Sequence, residues 1–376
     1  MNRQVENLII GAGPAGLATA GRLRNAGIDF EVVEASDKIA VRWHHHYDRL
    51  HLHTVKQFSH LPHLEFPESY PLYVPRKELV EYFESYAQEF KISPHFNTEI
   101  KEISKSENGR WNVKTQTGDN LEATRVIVAT GVNRVPNKPK FEGIESFNGN
   151  IIHSRAYKNA DPYEGKKVLV VGMGNTGAEL ALDLSEHNID ITICVRSPIS
   201  VVPRDLNGRS VQITSKQLAK LPFGLGDWLG SQIRKVYFGD LTKYGLESSK
   251  VHPAVQLRET GKTPIVDIGT IKAIKEGKIK VVPGIKLFDE LGVAFTDDSH
   301  QLFDEVIMAT GYRPHVEELV ERGAELLDKY HCPKGAIGEG FHSGLYFIGF
   351  DNYKLGGILG TIFTDSQIIL DHIKSI

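Results

Sequence analysis

Two stretches of this 376-residue sequence carry the same glycine spacing. "LIIGAGPAGLATA" holds Gly11-x-Gly13-x-x-Gly16, and "VLVVGMGNTGAELALDL" (168–184) holds Gly172-x-Gly174-x-x-Gly177. Each follows a short apolar run that reads as a buried strand and precedes residues at helical spacing, the opening of a βαβ unit. The first glycine of such a loop permits the tight turn. The second lets the backbone approach a pyrophosphate, and the third lets helix and strand pack closely, with the helix N-terminus facing the phosphate charge. One such loop is a weak signal. Two, each with the right flanks, confine the chain to an α/β fold with two Rossmann-like dinucleotide-binding domains.

The strand that follows each loop separates the two ligands. "DFEVVEAS" ends at Glu34, 23 residues after Gly11, where a carboxylate accepts hydrogen bonds from ribose hydroxyls. "DITICVRSP" ends at Arg196, 24 residues after Gly172. A guanidinium offers a planar fork of donors to a ribose 2′-phosphate, which an acid would repel. NADPH is therefore favoured over NADH at the second loop, with Arg204 assisting; a plain solvent-exposed arginine is the alternative. Pro14 and Ala15 open the first helix, Asn175 and Thr176 the second, and all four are candidate cofactor contacts. One site then holds a resident redox cofactor, FAD, and the other delivers hydride to it.

Composition narrows the partners. The formal net charge of −3 gives no support to nucleic-acid binding or to an anionic membrane surface. Cys194 and Cys332 are the only cysteines, so there is no disulfide framework and no redox-active pair of the kind disulfide reductases need. The apolar run at the N-terminus is too short for a signal peptide, and no window reaches transmembrane length. The expectation is a cytoplasmic protein acting on a small molecule and dioxygen; a homodimer is left open. "WHHHYDRLHLH" tempts a metal reading through His44–His46, His51 and His53, but no acid or thiol stands at zinc spacing, and no metal is expected.

Elsewhere, residues 76–90 read as an amphipathic helix, 99–131 as a β-meander, and 41–62 as an irregular working loop. "VIVATGVNRVP" (126–136) and "VIMATGYRP" (306–314) are strands that both end in Ala-Thr-Gly, a weak internal repeat. The expected layout is an FAD domain over 1–160, an NADPH domain inserted at 161–300, and a return to the FAD domain over 301–376.

"FNGNIIHSRAY" spells Phe147-x-Gly149-x-x-x-His153-x-x-x-Tyr157. This resembles the fingerprint of the class B flavoprotein monooxygenases. The terminal Tyr157 is similar to the flavin-containing monooxygenases, where Baeyer–Villiger members end in Trp. "DRLHLHTVKQFSHLP", "VVPRD", "GKTPIVDIGT" and "VIMATGY" resemble the YUCCA branch, the plant indole-3-pyruvate monooxygenases. The resemblance implies a glutathione-reductase-like fold binding FAD and NADPH. It implies a flavin C4a-(hydro)peroxide shielded from water in a dry cleft between the domains, and oxidative decarboxylation of a 2-oxo acid. It places His53, Lys56, Thr310 and Tyr312 at the reacting centre. Arg42, Trp43, Gly311 and the Gly356-Gly357 turn fall beside the cofactors. N- or S-oxygenation, an uncoupled NADPH oxidase, a quinone reductase and a nucleotide-sensing flavoprotein remain as alternatives, and the role of His153 stays open between transmitting nucleotide binding from a linker and a satisfied structural histidine.

Overall fold

A computed structural model describes residues 2–218, 221, 225–260, 263–350 and 357–376. The chain divides into two compact units. One is formed by residues 1–45, 54–135 and 312–376, the other by 46–53 and 136–311.

The first unit is built on a six-stranded sheet. Strand Asn2–Ile10 pairs in parallel with Glu31–Val33 on one side and Asn120–Val128 on the other. The second half of 120–128 pairs in parallel with Leu345–Phe347, while its first half carries the antiparallel meander Trp111–Thr115 and Ile100–Lys105. Leu8, Ile9, Val126, Ile127 and Val128 are fully buried, which explains why these strands read as unbroken apolar runs rather than alternating ones. Helix Pro14–Asn25 packs along helix Gly357–Ser375. The buried Arg22 fastens them, its Nε donating to Ser366 Oγ at 2.9 Å and a terminal nitrogen to the Phe363 carbonyl at 3.1 Å.

The second unit carries a five-stranded, wholly parallel sheet in the order Ile279–Val282, Asp190–Cys194, Lys167–Val171, Glu305–Met308, Asn150–His153. Helix Asn175–Glu186 packs against strands 167–171 and 190–194. A three-stranded antiparallel sheet, 285–288, 292–295 and 300–302, and two two-stranded sheets, 201–203 with 265–267 and 205–206 with 209–210, lie in the same unit. In both units the leading strand lies between the strand that follows it across a helix and one that comes much later in the chain, a switch point of the strand order. That is where open α/β sheets bind ligands.

The unit boundaries depart from the expected 160/161 and 300/301. They fall at 135/136 and 311/312, and residues 46–53 join the second unit. Strand 305–308 was expected to begin the return to the first domain. Instead it pairs with 150–153 and 167–171. The two Ala-Thr-Gly strands look alike because each fills the same place in its own sheet, next to the strand that leads into the glycine loop.

Candidate cofactor and active site

The twin loops are geometric copies. Gly11 and Gly172 have φ of 108° and 103°, a region that L side chains avoid. A Cβ on Gly11 would stand 2.7 Å from the Ala129 carbonyl oxygen, and one on Gly172 2.9 Å from that of Ala309. A Cβ on Gly16 or Gly177 would lie 1.9 Å from the carbonyl oxygen of Gly11 or Gly172 respectively. Gly13 and Gly174 differ from all of these. Nothing lies within 4 Å of where their Cβ would be, and each opens its helix in extended backbone with no side-chain cap. Each loop thus ends in an open cradle of helix N–H groups, the geometry a pyrophosphate requires. In the first unit Thr130 Oγ1, just beyond Ala129, is buried without a hydrogen-bond partner among the described residues.

The strand ends diverge. Gly11 N donates to Val33 O at 2.8 Å and Gly172 N to Cys194 O at 3.0 Å, which aligns the two second strands. Glu34 follows Val33; its Oε2 accepts from Ala12 N at 2.7 Å and its Oε1 from Ser36 N at 2.9 Å and Ser36 Oγ at 2.8 Å. The acid is therefore braced against its own glycine loop. The matching position in the second unit is Val195, and Arg196 stands one residue further, exposed and with no hydrogen bond or ion pair among the described residues. Arg204 Nε instead donates to Asp205 at 2.9 Å.

The remaining candidates scatter. Asn175 clamps the distant strand Ile265–Asp267 rather than the loop: its Nδ2 donates to Pro264 O at 3.2 Å and its Oδ1 accepts from Val266 N at 2.7 Å. Thr176 is half-buried on the same helix. Arg42 is exposed on the short helix Val41–His44, where the half-buried Trp43 packs on Phe83 with ring centroids 5.9 Å apart. Lys56 Nζ donates to the carbonyls of Glu68 at 2.9 Å and Tyr70 at 2.6 Å, so it secures the 67–72 loop. Gly357, at φ 74°, starts the last helix, and a Cβ there would lie 2.8 Å from the Thr54 methyl. Gly356 lies outside the described residues. Tyr312 is half-buried at the start of strand Tyr312–Arg313.

Thr310 and Gly311 belong to a backbone lock at the edge of the second unit. Thr310 Oγ1 donates to Asn137 O, Asn137 Nδ2 donates to Thr310 O at 3.2 Å, and Asn137 N donates to Gly311 O at 2.9 Å. His153 Nε2 lies 3.0 Å from the same Gly311 oxygen, while its Nδ1 accepts from Arg155 N at 3.1 Å. The ring is therefore neutral with its proton on Nε2. Burial holds it below the ordinary histidine value, and nearby Arg155 and Lys138 add to that shift against the Gly311 hydrogen bond. Asn137 was not singled out from the sequence.

His53 lies in the second unit, its Nε2 3.2 Å from Oε2 of the buried Glu179, which also accepts from Tyr47 Oη at 2.7 Å. Tyr157, the last residue of the 147–157 motif, donates to Asp183 at 2.6 Å on the same helix.

The family model for pyridine nucleotide-disulphide oxidoreductases matches residues 8–221. A probable indole-3-pyruvate monooxygenase of Arabidopsis thaliana, YUCCA9, is 39% identical over 359 residues, covering 93% of this chain and 85% of its own. The indole-3-pyruvate monooxygenase YUCCA1 of Oryza sativa subsp. japonica is 38% identical, covering 94% and 88%. The chain belongs to the YUCCA branch of the class B flavin-containing monooxygenases. It is thus a monooxygenase and an oxidoreductase. In fold it is similar to a flavin monooxygenase of Stenotrophomonas maltophilia, at TM-score 0.77 and 21% identity over 99% of both chains. It is also similar to the NADP+-bound cyclohexanone monooxygenase of Rhodococcus sp. Phi1, at TM-score 0.76 and 17% identity, covering all of this chain and 85% of the other.

Cys194 and Cys332 are not joined in a disulfide. Cys194 is buried at a strand end, donates to Pro283 O, and has its thiol pushed up to about 11 by burial. Among the described residues, no three His, Cys, Asp or Glu side chains are grouped to hold a metal ion, and no helix is long and apolar enough to cross a membrane.

Proposed function

We propose that this monooxygenase binds FAD at the Gly11–Gly16 loop and NADPH at the Gly172–Gly177 loop, and that it oxidises a 2-oxo acid of the indole-3-pyruvate type with loss of carbon dioxide. The overall change balances as 2-oxo acid, NADPH, dioxygen and one proton giving the shortened acid, carbon dioxide, NADP+ and water. FAD supplies the redox chemistry when bound, taking hydride from NADPH and activating dioxygen. The observation that carries the reading is the pairing of two open glycine cradles in a chain 39% identical to a YUCCA monooxygenase over nearly its whole length.

The chain's own residues bind, orient and shield. The N–H groups at the start of helices 14–25 and 175–186 take the two pyrophosphates. Glu34, fixed by Ala12 and Ser36, presents its remaining acceptor capacity to the flavin-side ribose. Arg196 meets the 2′-phosphate with nothing to neutralise first. His53 stands at the reacting centre. Lys56 acts as a loop clamp rather than an acid, because its ammonium is committed to backbone carbonyls.

The test is parallel product analysis with indole-3-pyruvate, phenylpyruvate, a thioether and trimethylamine. The reading expects carbon dioxide and the shortened acid from the 2-oxo acids, with little oxygenation of the other two. Sulfoxide or N-oxide as the main product would replace it with N- or S-oxygenation.

A further inference from the structure

Residues 46–53 lie in the second unit although the chain on both sides lies in the first. A row of acids on helix Asn175–Glu186 holds them there. Glu179, Asp183 and Glu186 follow one another at four and three residues and so share a helix face. Arg49 reaches Asp183 at 3.3 Å and Glu186 at 2.8 Å, and Tyr47 and His53 both meet Glu179 Oε2. Glu179 is only 2% exposed. A carboxylate so buried is costly unless it is hydrogen-bonded, so apolar packing alone would not place one here.

The bond does more than satisfy Glu179. A carboxylate accepts only, so in the neutral His53 ring the proton lies on Nε2 and Nδ1 keeps its lone pair. Nδ1 has no partner among the described residues, and the side chain keeps 18% of its surface open. We propose that Glu179 is a positioning residue: it fixes His53 in the Nε2–H tautomer, so that Nδ1 accepts a hydrogen bond from an N–H or O–H donor of the bound reactants. This rests on the reading that His53 stands at the reacting centre. The pairing itself is a property of the second unit and can be observed without any ligand. Tyr47 supports it by donating to the same oxygen, which keeps the carboxylate from rotating away from His53.

The experiment records ring-nitrogen NMR of His53 in the ligand-free chain, assigned by difference against His53→Asn, for the wild type, Glu179→Gln and Glu179→Leu. Product formed per NADPH consumed is measured on the FAD-loaded forms. The wild type should show the Nε2–H tautomer, Glu179→Gln should keep it, and Glu179→Leu should give a mixture of tautomers. With Glu179→Leu, kcat should fall roughly tenfold or more, the effect of losing one hydrogen bond to a charged group, while KM for NADPH holds. His53→Asn retains a donor for Glu179 and an acceptor beyond it, so it should outperform His53→Ala. If Glu179→Leu does not fold, the wild-type spectrum and the Asn–Ala pair decide. A wild-type Nδ1–H tautomer overturns the positioning. A tautomer shift with unchanged kcat overturns the link to the reaction and leaves the pairing intact. Absence of any acid product from the wild type would instead sink the proposed function.

Discussion

Val195 occupies in the second unit the position that Glu34 occupies in the first, and the two differ in the one property a ribose phosphate senses. Each follows the residue whose carbonyl accepts from the leading glycine, and each donates its own N–H across to a neighbouring segment, Glu34 to His95 O and Val195 to Val282 O. The acid slot is empty of charge, and Arg196 stands just past it. Arg196→Ala should therefore weaken NADPH by roughly tenfold or more, the value of a hydrogen bond to a charged group, and leave NADH nearly unchanged. Val195→Glu should lower NADPH affinity further. Titration of both coenzymes against both variants checks this, and equal losses for the two coenzymes would contradict it.

The glycines of the first loop fail in different ways when given a methyl. Gly13→Ala meets no protein atom within 4 Å, so the variant should fold with near-normal thermal stability yet lose FAD. Gly16→Ala would drive a Cβ to 1.9 Å from Gly11 O, so it should itself lose stability, by ~1–3 kcal/mol from overpacking. Thermal melts and flavin absorbance on the two purified variants separate these outcomes.

Acid stability should report on His153. Its folded value lies below the ordinary 6.5, so the unfolded chain takes up that proton first as pH falls. The contribution is complete above the ordinary value and is lost as pH drops below it. Urea unfolding at pH 7.5 and 5.5 should show a smaller acid-side loss for His153→Gln than for the wild type. The variant should also be less stable at pH 7.5, by about 1 kcal/mol for a lost hydrogen bond. Equal losses on acidification would contradict this.

Cys194 should behave as an inert core thiol. With its value raised to about 11, it remains protonated at neutral pH, and thiol reagents should label it only after unfolding. Because the folded value is raised, this thiol's contribution to stability is present below the ordinary 9.0 and is lost as pH rises toward 11. Cys194→Ser should leave NADPH oxidation intact. Fast labelling of the folded chain, or loss of activity in that variant, would revive a thiol mechanism.

Gly11, Gly16, Gly172 and Gly177 were legible in the sequence because the constraint on each is local: a positive φ or a carbonyl within two ångströms admits no side chain. Glu34 followed from its spacing. Strand 305–308 was not placed in its sheet, because its Ala-Thr-Gly ending matches that of 120–128, and pairing partners are not written in a strand's own residues. Glu179 and Asp183 were missed for a related reason. Acids four apart on a helix look like a solvated face, and the groups that bury these two come from elsewhere in the chain: Tyr47 and His53 at Glu179, Arg49 and Tyr157 at Asp183. Lys56 was drawn to the chemistry by its motif, while the carbonyls that hold it come from the fold of residues 67–70.

The central claim is that hydride delivered by NADPH is spent, through FAD, on oxygenating a 2-oxo acid. The most direct measurement is the amount of indole-3-acetate formed per NADPH consumed by the purified, FAD-loaded chain given indole-3-pyruvate in air. A ratio close to one, with NADPH turnover stopping when oxygen is removed, is the predicted result. NADPH recovered wholly as hydrogen peroxide, or turnover that continues without oxygen, would contradict the account.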